Sequence, residues 1–455
     1  MSGLVLALAF PKYNLWWLAW VALVPFFYAL NKAPDRRGAL ACGLSFGLVF
    51  FGLNLFWITS LFRFGGWWVV FGWLGLALFQ SFFILLFALI PRSPIPRAIS
   101  LAFSWVAVEW LRGLGPFGVT AGVVGYSQAD FLPFIQIASL VTVYGVSFVV
   151  VLFNAALADV GTAFMAVREK RTGINPVPTM LFVFLLVAVC LAYGYSTISH
   201  SSLVIRNFPK LALIQPNVDQ MDKMNPALVM KIFDLQENMT RQAATLEPEI
   251  IIWPETAVFT YILQDGRTLP RLQALARETQ AWLVIGTPFF ENGRAYNSLV
   301  SFSPLGEVVS RYDKEHPVPF GEYLPFRPLL YPLLRGTGYF DNDFWPGKEV
   351  RLIEAAGRKF AAAICFESTF PGLIKERVRR GGDIILTVTN DGWFGDSDAA
   401  YQHLQNGILR AVENRRYFVQ VGNTGFSAVI DPYGRVVRRA RLNSRETLFF
   451  SLPIK

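Results

Sequence analysis

Up to about residue 199 the chain is a series of long apolar runs separated by short polar stretches, and beyond about 210 short apolar runs alternate with amphipathic ones. A bilayer crossing needs about 20 apolar residues. Runs of that order lie near 14–31, 38–60, 67–91, 97–114, 131–160 and 179–198, which predicts six full spans. The opening MSGLVLALAF is too short to cross alone. It reads as a partial first span, either re-entrant or the end of a longer segment, turned into the next run at Pro11–Lys12. A cleaved signal peptide fits less well, because no basic region precedes the apolar stretch and the run that follows is itself of membrane length.

In the second half, strands are predicted at 211–215 (LALIQ), 249–253 (EIIIW), 282–286 (WLVIG), 360–364 (FAAAI) and 383–389 (DIILTVT). Helical periodicity covers 226–246, 267–281, 370–380 and 399–416. Strands alternating with helices argue for an α/β sheet. The segments 296–314 and 426–439 read instead as hairpins, each with a glycine in its turn. The expectation is therefore a polytopic α-helical membrane domain over 1–199 and a mixed α/β domain over 200–455. Its buried strands end in polar residues, where open α/β folds place their sites.

Composition sharpens this division. Of 455 residues 53% are hydrophobic and 16% charged, and mean hydropathy is +0.40. The average hides two populations, about 8% charged before residue 200 and about 22% after it. Disorder is excluded, since disordered chains are hydrophilic and poor in aromatics. The net charge of +9 does not indicate nucleic acid, because +6 of it lies between the apolar runs and the hydrophilic half carries no basic run or basic-aromatic stripe. Cys42, Cys190 and Cys365 cannot form a disulfide framework.

The basic residues between the runs also predict an orientation. Lys32, Arg36, Arg37, Arg92, Arg97, Arg168, Lys170 and Arg171 fall in alternate loops, against Arg63 and Arg112 in the others. The positive-inside rule then places the loops near 61–66 and 113–130, and everything after 199, outside. Trp16, Trp17, Trp20, Trp67 and Trp68 cluster at run ends, as an interfacial belt would. Glu109 and Arg112 are ionisable residues close to one membrane face, where a structural pair is favoured over a functional one. No internal repeat or pair of broken helices points to a transporter.

Candidate chemistry gathers at strand ends. EIIIW runs into Pro254–Glu255, the second strand of the first hairpin into Lys314, and FAAAI into Cys365–Phe366–Glu367. A thiol becomes a good nucleophile when deprotonated, and a nearby cation lowers its pKa. Lys314 can supply that cation and stabilise an oxyanion, and Glu255 can accept and return a proton. The N–H of Phe366 follows the nucleophile and can donate to the oxyanion. Each residue also has a plainer reading. A cysteine at a strand end is more often packing, Glu255 and Lys314 can be an ordinary ion pair, and Glu322 and Glu367 can be solvated or hydrogen-bonded structural groups. His316 reads as a polar or packing residue, and His200 and His403 show no zinc-ligand spacing.

WPET around Glu255, RYDKEHPVPFGEYLPF around Lys314 and ICFES around Cys365 resemble the Glu–Lys–Cys signature of the carbon–nitrogen hydrolase (nitrilase) superfamily. QPN at 215–217, NDGWFG and NTGFSAVIDPYGRV follow the same order. VPFGEY after Lys314, behind a polytopic half, resembles the membrane branch of that superfamily, the bacterial apolipoprotein N-acyltransferases. Pro317, Phe366 and Met224 depart from the residues usual at those positions, leucine, tyrosine and tryptophan respectively. The branch also carries a final transmembrane helix after the catalytic domain, past the SLPIK at which this sequence stops.

The resemblance implies a nitrilase-type α-β-β-α sandwich on the periplasmic side of the bacterial inner membrane. It implies that Cys365 takes an acyl chain from a phospholipid, typically phosphatidylethanolamine, as a thioester. The acyl chain then passes to the α-amine of the diacylglyceryl-cysteine of an apolipoprotein. Glu255 would be the general base and Lys314 the oxyanion stabiliser, with Glu322 and Glu367 orienting them. No cofactor or metal is implied, and a monomer is expected. Extracting a lipid into water costs ~0.8 kcal/mol per exposed CH₂, so a catalyst held at the bilayer fits such substrates. The aromatic and leucine-rich stretch 323–346 reads as a lid at the interface. The alternatives are a membrane-tethered amidase or nitrilase acting on a small C–N substrate, and a non-catalytic scaffold or transporter.

Overall fold

The structure is a computed structural model that describes residues 1–90, 97–168, 177–200, 208–335 and 342–451. Arg92, Lys170 and Arg171, positions 336–341 of the aromatic stretch and the last residues of SLPIK lie outside them. The chain divides into two compact units, Met1–Ser201 and Ser202–Lys455.

The first unit is helical. Among the described residues four helices are long and apolar enough to cross a membrane: Arg36–Asn54, Trp67–Ala88, Ala138–Phe164 and Val177–Ser199. Asp35 caps the first of these by accepting a hydrogen bond from the Gly38 N–H at 2.7 Å, which satisfies one of the donors a helix start leaves open. The opening helix, Ser2–Leu8, packs closely on it. A Cβ on Gly3 would lie 2.8 Å from the Phe46 carbonyl oxygen.

The apolar run 14–31 is not one helix but a 3₁₀ turn, Trp16–Trp20, and a helix, Val24–Lys32. The break is stabilised by the buried Asn154. Its amide donates to the Ala19 carbonyl and its oxygen accepts from the Leu23 N–H, both at 2.9 Å. In an apolar environment broken helical backbone survives only where such partners exist. The run 97–114 forms the sixteen-residue helix Arg97–Arg112. Glu109 accepts from the Trp105 indole (2.9 Å) and the Val124 N–H (2.8 Å), while Arg112 donates to Gln80 (2.7 Å) and to the Ala121 carbonyl (3.1 Å). These two residues therefore pin the irregular segment after their own helix.

The second unit is an α-β-β-α sandwich. Its strands are β1 Leu211–Gln215, β2 Ile250–Ile252, β3 Trp282–Glu291, β4 Arg294–Phe302, β5 Val308–Asp313, β6 Ile353–Ala355, β7 Arg358–Ile364, β8 Ile384–Thr389, β9 Phe418–Gly422, β10 Ala428–Ile430, β11 Val436–Arg439 and β12 Glu446–Phe450. One sheet has the order β12-β1-β2-β3-β4-β5 and the other β11-β10-β9-β8-β7-β6. The central triplets β1–β2–β3 and β7–β8–β9 are parallel and the outer pairs antiparallel.

Alternation along each strand sorts residues between layers. Leu211, Leu213, Ile250, Ile252 and Leu299 of the first sheet meet Phe360, Ala362, Leu386 and Val419 of the second in one core. Ala212, Ile214, Ile251 and Leu283 face the other way, onto Phe233 and Leu272 of the helices Val229–Ala244 and Leu269–Thr279. The second sheet is covered by Pro371–Arg379 and Ala399–Asn414. Burial on both faces explains why the parallel strands read as unbroken apolar runs. The sequence reading missed β6, β9 and β12, the far half of β3, and its hairpin with β4 through Asn292–Gly293.

Leu386→Ala on fully buried β8 is expected to cost about 2–5 kcal/mol. Val437→Ala, on the exposed edge strand β11, should cost less than about 0.5 kcal/mol. Thermal and denaturant unfolding of the detergent-solubilised chain measures both.

Candidate active site

Four strands deliver the site. β2 leads through Trp253–Pro254 to Glu255, β5 ends next to Lys314, β7 next to Cys365, and β8 next to Asn390–Asp391. Cys365 has φ of 53° and opens a 3₁₀ turn, Cys365–Thr369. A non-glycine residue in the left-handed region is strained, and such strain gathers at functional positions. Phe366 is the second residue of this turn, where N–H groups have no partner within the turn itself. Its ring stacks on His316 (centroids 5.7 Å apart) and both meet Phe370.

Lys314 is almost fully buried. Its Nζ lies 2.7 Å from Glu322 Oε2 and 3.5 Å from Glu255 Oε1. The Asn297 amide on β4 donates to both carboxylates, at 2.8 Å to Glu255 and 2.7 Å to Glu322, and the Val318 N–H donates to Glu322 at 2.8 Å. Burial alone would lower the pKa of the lysine, but Glu322 and Glu255 outweigh it and hold the amine charged, above its ordinary value.

Glu367 is fully buried, and its hydrogen-bond partners are backbone N–H groups, Tyr312 and Arg377. It accepts from the Ile364, Glu315 and His316 N–H groups and from the Tyr312 hydroxyl, at 2.7–3.1 Å, with Arg377 at 3.4 Å. Burial would raise its pKa, yet Arg377, Lys314 and these donors hold it below the usual carboxylate value.

The thiol itself is not acidic. Burial, with Glu255 and Asp391 adding to it, pushes Cys365 well above its ordinary pKa, against the pull of Lys314 and of the Thr389 hydroxyl at 3.4 Å. Lys314 pulls the thiol pKa down, as a neighbouring cation does, and desolvation is the larger effect.

Several neighbours were assigned no part in the site by the sequence reading. Lys223 is buried, and its Nζ contacts the Glu255 carbonyl oxygen at 3.3 Å; burial pulls its pKa down to about 8 against the effect of Glu255. Met224 beside it is partly exposed. Asn423 donates to Asn390 Oδ1 and to the Val218 carbonyl and accepts from the Val218 N–H, so it laces the loop after β1 to the loop after β8. His403, set aside on spacing, comes within 3.0 Å of the Cys365 carbonyl oxygen. Donor atoms of Cys365, Asp391 and His403 lie within 4.8 Å of one another, as a metal ion would require. Both His403 ring nitrogens are engaged by hydrogen bonds, to Asp391 and to Cys365 and Ser368, so the group is built as a polar network.

An amine flanked by two carboxylates, with a half-buried thiol in a left-handed turn electrostatically coupled to it, supplies the groups that acyl transfer uses. Comparison with known proteins agrees. Residues 2–156 match the apolipoprotein N-acyltransferase N-terminal domain and residues 210–454 the carbon–nitrogen hydrolase family. The apolipoprotein N-acyltransferase of Geobacter metallireducens is 35% identical over 96% of this chain and 85% of its own length. The chain belongs to the apolipoprotein N-acyltransferase family. The enzyme of that name from Methylococcus capsulatus is 34% identical over 98% of this chain and 88% of its own. A solved amidase from Nesterenkonia sp. aligns with 56% of this chain and 94% of its own, with 20% identity and a TM-score of 0.42. As an apolipoprotein N-acyltransferase family member the chain is an acyltransferase and a bacterial membrane protein.

Two outcomes test this geometry. A Cβ on Gly286 of β3 would lie 2.3 Å from the Pro254 carbonyl oxygen and 2.8 Å from Glu255 Cα. Gly286→Ala must therefore displace Glu255, and a displacement near 1 Å costs about 10²-fold in acyltransferase rate. Gly372→Ala, with open space around it, should leave the rate unchanged. Lys223 titrates at about 8 in the folded protein and at about 10.4 in the unfolded chain. Between these values the unfolded chain holds more protons, so the stability contribution is complete above the upper value and is lost as pH falls through the lower. Denaturant unfolding from pH 7.5 to 10.5 should show a rise on the order of 3 kcal/mol from this group, absent in Lys223→Met.

Proposed function

We propose that this acyltransferase moves an acyl chain from a phospholipid, phosphatidylethanolamine being the typical donor, to the α-amine of a diacylglyceryl-cysteine at the N-terminus of an apolipoprotein. The observation that carries this reading is the Lys314–Glu255 pair, 3.5 Å apart and electrostatically coupled to the Cys365 thiol, in a chain whose two parts both match the family.

In the first half-reaction Cys365 Sγ attacks the donor ester carbonyl as Glu255 takes the thiol proton. Lys314 and the Phe366 N–H receive the oxyanion. The intermediate collapses to a thioester, and Glu255 returns the proton to the departing lysophospholipid oxygen. In the second, the neutral acceptor amine attacks the thioester and gives up one proton to Glu255. The amide forms, the sulfur leaves and the proton returns to it. Glu322 orients Lys314, and Glu367 orients the segments that carry Lys314 and Cys365.

We read 1–199 as the membrane domain, with six spans and a partial first one, and 200–455 as a monomeric catalytic domain on the periplasmic side. The eight-to-two distribution of basic residues between alternate loops supports that orientation. The reading of 323–346 as a lipid-facing lid is supported by the helix Arg327–Leu334, whose Leu329 and Leu333 are 72% and 66% exposed, and by Phe326 before it.

The experiment supplies the purified chain with phosphatidylethanolamine labelled in its acyl chain. Label should accumulate on Cys365 and move to a diacylglyceryl peptide when one is added. Cys365→Ala should abolish both steps, and Glu255→Gln should slow them by about 10²–10⁴-fold. Transfer that persists in Cys365→Ala would sink the mechanism. Ammonia released from simple amides, with no lipid label, would point to an amidase instead.

A further inference from the structure

One buried cluster has no task in this scheme. His403, on the helix Ala399–Asn414, is 7% exposed, and Asp391, just past β8, is 2% exposed. His403 Nδ1 lies 3.1 Å from Asp391 Oδ1, and Nε2 lies 3.0 Å from both the Cys365 carbonyl oxygen and Ser368 Oγ. Thr389 ends β8 with its hydroxyl oxygen 3.1 Å from Asp391 Oδ1, 3.3 Å from His403 Nδ1 and 3.4 Å from Cys365 Sγ. Gly425, at φ of 77°, lets the backbone close over this carboxylate, since a Cβ there would lie 2.5 Å from Asp391 Oδ2.

A carboxylate and a carbonyl oxygen both accept. Both contacts are favourable when both ring nitrogens carry hydrogen, as they do in an imidazolium. The groups facing it agree. Burial would lower the histidine pKa, but Asp391 after β8, the Cys365 carbonyl and Glu255 after β2 raise it above the ordinary value.

We propose that Asp391 and His403 form a positioning device for the nucleophile, separate from Glu255 and Lys314. The imidazolium clamps the Cys365 carbonyl and so fixes the left-handed turn that presents the sulfur. The pair also keeps the Thr389 hydroxyl poised between Asp391 and the sulfur. At rest this hydroxyl donates to Asp391. When the thiol proton passes to Glu255, it rotates to donate to the sulfur, and His403 Nδ1–H continues to satisfy Asp391. No covalent bond changes in this motion, and His403 exchanges no proton with substrate. The inference rests on Cys365 being the nucleophile.

The test uses the full chain in detergent with Cys42 and Cys190 replaced by alanine, so that alkylation reports Cys365 alone. Iodoacetamide labelling of Cys365 is followed against pH by mass spectrometry, beside kcat and KM for acyl transfer. His403→Gln should move the alkylation profile to higher pH and lower kcat about 10²-fold, leaving the phospholipid KM unchanged. Thr389→Val should shift the profile the same way and lower kcat about tenfold, and Thr389→Ser should restore both. If His403→Gln does not fold, the threonine pair decides. A wild-type alkylation profile in Thr389→Val, or a Thr389→Ser variant as impaired as Thr389→Val, overturns the proposal. Acyl transfer surviving in Cys365→Ala would instead remove the thioester reading, a result separate from the alkylation profiles.

Discussion

The site depends on one buried carboxylate. Glu367 binds the backbone on both sides of the sandwich, at Ile364 next to Cys365 in one sheet and at Glu315 and His316 just past Lys314 in the other. The two sheets otherwise meet through side chains such as Leu213, Ile252, Leu386 and Val419, whose packing is strong but non-directional. Apolar contact sets the separation of the layers and leaves their sliding weakly specified. Hydrogen bonds to a charged acceptor are directional and contribute about 1.5–3 kcal/mol each, so the clamp fixes the register between lysine and cysteine. Its charge survives burial because Arg377 and Tyr312 complete the shell. An ion buried without such a shell costs several kcal/mol.

The same scarcity of water explains how the chemistry is divided. Burial raises the pKa of the Cys365 thiol and works against the charge of Lys314, which Glu322 and Glu255 hold in place at 2.7 and 3.5 Å. A permanently ionised thiolate would be exposed to oxidants and metals. On the proposed mechanism the thiol ionises only during attack, where Lys314 would also stabilise the oxyanion.

What could be read from the sequence follows from the range of the interactions involved. β1, β2, β7 and β8 were legible because burial on both faces leaves unbroken apolar runs; Glu255 and Cys365 lie just past such runs, and Lys314 just past the second strand of a hairpin. β12 was not legible, since ETLFF mixes polar and apolar residues at a sheet edge and pairs with β1 more than 200 residues earlier. Asn297, Lys223 and His403 were missed for a related reason. Each is an ordinary polar residue within its own element and acquires a role only when a distant strand end arrives beside it. The break at Ala22–Leu23 was hidden by hydropathy, which counts side chains and ignores who satisfies the backbone. Asn154, the residue that permits the break, lies in another run altogether.

Asn154 and Glu367 solve one problem in two solvents. Each is a fully buried polar side chain that satisfies backbone groups left open where regular structure stops, at a helix break in the first unit and at strand ends in the second. Strand ends and helix breaks are where a chain can expose reactive groups, but they are also where unpaired N–H and C=O groups are most costly. A site built at four strand ends therefore needs buried polar residues that never touch substrate. Their number is set by the backbone to be satisfied, and the chemistry adds only a few more. This accounts for the buried Asn297, Asn390, Asn423, Tyr312 and Arg377 in the loops and strand ends that carry Glu255, Lys314 and Cys365. It also explains why replacing a supporting residue is expected to disturb rate through geometry, with the proton transfers themselves unchanged.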